Sequence, residues 1–371
     1  MSANKWRHAM KSSNSIAARK SQPPVSTRTS VQDGRPQTTS TQPDRYSQTR
    51  SKLLRYAIIL IILLVYPWTA SSFFVFQIGA QSLILGIIAL SLAFLAGYGG
   101  MVSLSQLTVA GIAGYATAIF GHSAVGQISL EWPWWLVSVL AMLLAVGAAT
   151  LIGLVSVRTD GIYTIMITLA IGVAMFYLTQ QNYTVFNGFQ GFSNIFPPQF
   201  GTLNLRDPIP FYYLSLFFAV LSYAAVKYVV RTPFGVALQG TRDNTRRMRA
   251  LGFNVAAHRV AAHAFAGLLA GIGGILLVWY NARISPGTIG TSALLNILII
   301  AVIGGMRHPL GAFIGALAFV LLQNFAIDLI DRERFNLVIG GTFLLILIFS
   351  PDGLLGLWHR LRGLLHPARK Q

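Results

Sequence analysis

The chain of 371 residues is 54% hydrophobic and only 10% charged, with a formal net charge of +18 and no cysteine. A soluble domain carries about a quarter charged residues, so an ordinary soluble fold is excluded, and apolar runs of roughly 20 residues specify an all-α, polytopic transmembrane helical bundle. The missing cysteine excludes disulfides and thiolate metal sites, and the basic excess follows from positive-inside placement of charge, with no nucleic-acid partner required.

Residues 1–52 form a separate zone rich in Ser, Thr, Gln, Pro and Arg, with ten basic residues against Asp33 and Asp44. It lacks apolar periodicity and is expected to be a disordered, basic cytoplasmic tail. The first apolar run begins only near Leu53, which argues against a signal peptide. The tail either simply holds the N-terminus inside or touches anionic membrane lipid.

A transmembrane domain is expected over 53–351, followed by a short basic cytoplasmic tail at 352–371. Ten candidate spans lie near 53–72, 77–97, 101–120, 134–156, 161–180, 211–230, 261–280, 291–306, 310–330 and 335–350. The third mixes Ser103, Ser105, Gln106 and Thr108 with Gly111 and Gly114, and the eighth is short. Polar, glycine-interrupted segments are tolerated at membrane depth where they face protein or a water-filled cavity, so broken or re-entrant helices are expected at these two places. With the N-terminus inside, Arg158, Arg231–Arg259, Arg307 and the C-terminal basic residues fall in inner loops. Arg206, Arg283, Glu131 and Asp207 fall outside. This asymmetry supports ten spans with both termini cytoplasmic. The outer segment 181–210 is either a turn-rich connection or part of an external mouth.

Several chemistries are absent from the sequence. None of the six lysines follows a glycine, so no phosphate-binding G-x-x-x-x-G-K-[ST] loop exists here. No H-E-x-x-H occurs, no cofactor is expected in this chain, and no catalytic residue is assigned. His258 and His263 are expected to be interfacial. Few acids fall within the apolar segments, which weighs against an ion-coupled carrier. A pathway lined by hydroxyls, amides and glycine backbone suits a small polar or zwitterionic solute.

The longest polar interruption is the loop 231–260, with Arg231, Arg242, Arg246, Arg247, Arg249 and Arg259 against Asp243. Thr241 or Asp243 is placed to cap a helix running to about Leu251, with Gly252 as the left-handed residue ending it. Met248 and Leu251, three apart, are expected on one face. The loop is either an orientation device or a docking surface for a soluble partner.

The segment RTPFGVALQGTRDNTRRMRALGFNV resembles the cytoplasmic loop of the branched-chain amino acid ABC transporter permeases. The correspondence includes Arg231, Gly235, Arg242, Asp243, Asn244, Ala250, Leu251, Gly252, Phe253 and Asn254, with Thr241 beside them. GYGGMVSLSQLTVAGIAGYATA (97–118), ITLAIG (167–172), AGLLAGIGGILLVWYNARISPGTIG (266–290), VIGGMRHPLGAFIGA (302–316) and FSPDGLLGL (349–357) resemble further motifs of that family, in the same order. Ser103-Leu104-Ser105-Gln106, Asn187–Gly191 and Arg307-His308 depart from the usual pattern. The resemblance implies a permease subunit that works by alternating access. It also implies a second related permease subunit, an external solute-binding protein, and two cytoplasmic ATPases that bind ATP and Mg. The loop then seats in an ATPase groove, and Gly99, Ser103, Gln106, Gly111, Thr164, Thr168 and Asn296 are candidate pathway positions. Urea, short amides and aromatic acids are alternative solutes within the group. A stand-alone secondary carrier or channel is the reading from another class.

Overall fold

The computed structural model describes residues 58–200, 203–329 and, singly, 340, 341, 344, 353, 354 and 356. The expected N-terminal tail, most of the tenth span and most of the C-terminal tail lie outside these residues. The helices are α1 (Ile58–Thr69), α2 (Phe74–Gly99), α3 (Gln106–Phe120), α4 (Trp134–Ser156) and α5 (Ile162–Gln181). They continue with α6 (Pro208–Arg231), α7 (Pro233–Asp243), α8 (Thr245–Ala250), α9 (Val255–Asn281), α10 (Thr291–Gly304) and α11 (Pro309–Leu329). The first seven residues of α2, Phe74–Ala80, are wound as a π-helix. Proline opens α6, α7 and α11, where its missing N–H would be unpaired in any case.

Five of these helices, α2, α4, α5, α6 and α9, are each long and apolar enough to cross a bilayer. The remaining segments do not form equal spans. Helix α3 has 15 residues and covers about 22 Å, against a hydrocarbon core of about 30 Å. Its lead-in, 101–105, is non-helical. Helices α10 and α11 are bent by 117° at a short break. The breaks fall at the polar and glycine-rich places where broken helices were expected, Ser103–Ser105 and Gly304-Gly305.

Helix α9 is the central post, packed on α2, α3 and α4. A ladder of small residues makes this possible. A Cβ at Gly267 would meet that of Ala149 at 2.3 Å, one at Gly271 that of Ala145 at 2.9 Å, and one at Gly273 the Ile88 side chain at 2.5 Å. Such contacts are the usual means of helix association in lipid, where no hydrophobic drive separates helix from solvent. Helix α2 is equally central, with 89% of its most apolar window buried, against 22% for α5 on the periphery.

The two ends of the bundle gather different loops. At one end Arg242 reaches the carbonyl of Gly97, Arg259 reaches Asp160, and a Cβ at Gly97 would meet the Met306 carbonyl. At the other end β1 (Phe192–Ser193) pairs antiparallel with β4 (Arg283–Ile284), and the Ala124 N–H donates to the Ser193 carbonyl. A small hairpin of β2 (Gln199–Phe200) and β3 (Leu203–Asn204) lies in the same 181–210 segment. Loops assigned to the inner side from their charge thus meet at one end, and loops assigned to the outer side at the other.

Candidate functional site

The arginine-rich loop is two capped helices bound to the end of α2. Thr232 caps α7 by accepting from the Gly235 N–H. The inward face of α7, Gly235, Ala237, Leu238 and Thr241, is buried, and Leu238 joins the main apolar core. Arg242 projects from the far end of α7. Its guanidinium donates to the Gly97 carbonyl, an unpaired C-terminal group of α2, and pairs with Asp243 at 2.8 Å. Gly100 ends α2 at φ +68°, and a Cβ there would lie 2.6 Å from the Arg242 Cγ. The arginine stem therefore lies directly on the turn between α2 and the lead-in to α3.

The cap of the next helix is Asn244, not Thr241 or Asp243. Asn244 Oδ1 accepts from the Arg247 N–H at 2.9 Å. Thr241 is buried, its hydroxyl donating to the Leu238 carbonyl at 2.6 Å, and Asp243 is still the last residue of α7. Burial of Thr241 and anchoring of Arg242 hold α7 helical through Asp243, which moves the start of α8 one residue on. Gly252, at φ +87°, ends α8 as expected. The Phe253 N–H bonds to the Met248 carbonyl and the Gly252 N–H to the Arg249 carbonyl, the paired bonds of a Schellman motif. Asn254 then caps α9 through the Ala257 N–H. Met248 and Leu251 do not share a face. Met248 packs inward with Ala237 and Val255, whereas Leu251, at the C-cap beyond the helix, is 66% exposed. Ala250, Leu251, Gly252, Phe253 and Asn254 are exposed together with Arg246, Arg247 and Arg249, and Arg231 is exposed at the end of α6. An apolar ridge flanked by cations results.

A second polar group lies inside the bundle. Ser103 and Ser105 hydroxyls are 2.9 Å apart, and Ser91 donates to Gln106 Oε1 at 3.1 Å. The Leu104 N–H, outside any helix, donates to Thr168 Oγ1 at 3.1 Å, and Thr168 donates to the Thr164 carbonyl at 2.9 Å. Thr164 in turn contacts the Thr159 hydroxyl at 3.2 Å. Two N–H groups of the non-helical backbone ahead of α3 are thus paired, Leu104 with the Thr168 hydroxyl of α5 and Met101 with the Leu95 carbonyl of α2, as breaking a helix at membrane depth requires. Ser103, Gln106, Thr164 and Thr168 come together in this seam, all of them buried. Gly99 contacts Met101, Gly111 abuts Ile289, and Asn296 lies half-buried on α10; none of these three has a hydrogen bond to the seam. A recess of about 520 Å³ at the other end of the bundle is lined by Gln77, Arg206, Phe211, Trp279 and Tyr280, and none of the seven candidates lines it.

The family described as "Branched-chain amino acid transport system / permease component" matches residues 74–347. The chain belongs to that permease family. The permease is 26% identical over 333 residues to the high-affinity branched-chain amino acid transport system permease protein LivM of Salmonella typhimurium, covering 83% of this chain and 76% of the relative. The Escherichia coli protein of the same name is 25% identical with the same coverage. The nucleoside ABC transporter permease protein NupC of Lactococcus lactis is 26% identical over 239 residues, covering 62% of this chain and 74% of that one. No solved structure was found to match.

In the permease several residues join the site that were not among the seven pathway candidates. Ser91, Ser105 and Thr159 complete the seam, and Asp160 and Arg259 pair beside it at 2.6 Å. His263 is fully buried rather than interfacial. Its Nε2 is 3.3 Å from Ser156 Oγ, and its ring fills the space beside Gly153. His258, by contrast, stacks on Phe234 at 5.7 Å. The available signal was the apolar company of Arg259 and His263 at the start of α9. Asn244→Ala removes the α8 cap and is expected to cost about 1 kcal/mol locally, read as about fivefold faster amide exchange at Arg247 and Met248. Asn244→Asp keeps an acceptor and is expected to exchange like the parent; equal exchange in the alanine variant would contradict the capping role.

Proposed function

We propose that this permease is one transmembrane half of an ATP-driven importer of small polar solutes, branched-chain amino acids foremost. In this reading it sits in a bacterial plasma membrane with the arginine-rich end and both termini facing the cytoplasm. It pairs with a second permease chain, receives solute from an external binding protein, and docks one of two ATPases on the ridge 246–254. ATP and Mg bind the ATPases, since this sequence lacks a phosphate-binding lysine loop. The observation that carries the reading is the doubly capped helix α8, which ends in an exposed Leu251-Gly252-Phe253 ridge while Arg242 ties its base to the α2–α3 turn. A surface that moves with a bound ATPase is there linked to the broken helix beside the polar seam. Alternating access follows when that turn shifts and the seam between α2, α3 and α5 opens, and the chain performs no covalent chemistry.

The test is reconstitution with and without the partner ATPases, assaying leucine, a nucleoside and urea. Leucine uptake that needs ATP and both ATPases is the expected result. Uptake without ATPases, driven by an ion gradient, would replace this reading with a secondary carrier. ATP-dependent uptake of the nucleoside alone would move the solute toward that of the lactococcal relative.

A further inference from the structure

The docking ridge is joined to the bundle at Arg242 and also at a second point to which nothing yet assigns a role. Arg259 lies in the second turn of α9, one turn beyond the Asn254 cap. Its side chain is only 10% exposed, and its Nε is buried with no hydrogen-bond partner among the described residues. A cation desolvated to this degree depends on its remaining partner. That partner is Asp160, whose Oδ1 accepts from Nη1 at 2.6 Å and whose own side chain is 78% exposed. The pair links two segments 99 residues apart.

Each side of the pair leads somewhere specific. On one side, the first turn of α9 is clamped to the docking unit. The His258 ring stacks on Phe234 of α7 and meets Phe253, the residue that closes the Schellman motif, edge-on at 5.8 Å. On the other side, Asp160 immediately follows Thr159, which contacts Thr164 at the start of α5. Thr168, one turn on, holds the Leu104 N–H ahead of α3. The chain of contacts thus runs from Phe253 through His258, Arg259, Asp160, Thr159, Thr164 and Thr168 to Leu104.

We propose that Arg259 and Asp160 are positioning residues of the transport cycle, forming a charged strut that passes displacement of the docking helix to α5 and the break before α3. The proposal rests on the reading of 246–254 as the ATPase dock. Arg242 and, through the start of α9, the strut then hold the docking unit at two points, one on α2 and one on the turn ahead of α5. A tilt of α8 is thereby converted into relative movement of the two helices that enclose the polar seam. The burial of Arg259 suits this use, because breaking the pair would leave the guanidinium desolvated without its counter-ion, so the two side chains move together.

The experiment uses the full complex, with permease pair, ATPases and binding protein, in proteoliposomes. Asp160→Asn is the principal variant, and because it leaves the buried Arg259 without its counter-ion, the double variant Asp160→Asn with Arg259→Gln, which removes both charges, is assayed beside it. Arg259→Gln is the reciprocal one, and Asp160→Glu and Arg259→Lys retain the charges. The expected result is about a tenfold fall in solute moved per ATP hydrolysed in each neutral variant, with ATPases still co-purifying and hydrolysis retained. The charge-retaining variants should recover most of the coupling. Unchanged coupling in Asp160→Asn would overturn the strut, as would a fall that merely tracks loss of ATPase association. Failure of the docking reading is seen separately, as full ATPase association in a variant with Leu251 and Phe253 both changed to Asp.

Discussion

Gly274→Val is expected to abolish a folded bundle, while Gly147→Ala on a neighbouring helix leaves it intact. A Cβ at Gly274 would lie 2.0 Å from the carbonyl oxygen of Ala110 and 2.6 Å from its carbonyl carbon. Both are backbone atoms of α3, so no side chain can rotate away. Helix α9 would have to move bodily, yet Gly271 and Gly273, within the preceding turn, hold it against Ala145 of α4 and Ile88 of α2. Overpacking of a close-packed interior costs about 3 kcal/mol at the upper part of its usual range, and a crossing fixed on three sides offers no relaxation. At Gly147 nothing among the described residues lies within 4 Å of a new Cβ, and the residue is exposed. The measurement is the fraction of detergent-extracted protein that elutes as a monodisperse particle. A well-behaved Gly274→Val particle with parental thermal stability would refute the placement of α9 against α3.

The combined variant Arg242→Ala with Gly252→Val is expected to lower ATP-coupled uptake about a hundredfold while leaving insertion intact. Valine at φ +87° is a β-branched residue in the left-handed region, where side chains rarely fit. The bonds from Phe253 and Gly252 to the end of α8 would be lost with it, and the exposed ridge would lose its shape. Removing the Arg242 guanidinium frees the Gly97 carbonyl and detaches α7 from the α2–α3 turn. Neither change reaches the α9 crossing with α3 and α4, so the transmembrane bundle should assemble. The readouts are uptake, ATP hydrolysis and ATPase co-purification. Parental uptake in an inserted complex would remove the docking role from this loop.

Much of this molecule is visible residue by residue in the sequence. Trp134 to Ser156 is an uninterrupted apolar run after a proline, and α4 has those bounds. Gly252 ends α8 because only a residue without a side chain easily takes φ +87°, a local property that needs no tertiary information. The break before α3 was likewise signalled by Ser103 and Ser105 in an otherwise apolar segment. The cap of α8 was not. Thr241, Asp243 and Asn244 are all capable acceptors, and the choice fell to Asn244 because burial of Thr241 and the bond from Arg242 to Gly97 extend α7. The pathway candidates divide for the same reason. Thr164 and Thr168 stand in the sequence as hydroxyls within an apolar run, but only the packing of α5 on the lead-in to α3 joins them to Ser103 and Gln106 and leaves Gly111 and Asn296 apart.

By itself the sequence determined that the chain is a helical membrane protein, and it contained the motif order of a permease family. Its loop charges separate into two sides. These follow from composition, hydropathy and short-range caps, all of which act over a few residues. Tertiary structure decided that α9 is the central post, that the arginine-rich loop is tied down at Gly97 while Arg259 of α9 pairs with Asp160, and that the polar seam is closed. The contacts responsible join residues far apart in the chain, 145 positions in the case of Arg242 and Gly97. No periodicity along the chain encodes which carbonyl a guanidinium reaches once the helices have packed, because that partner is set by crossings that the small residues of α9 allow.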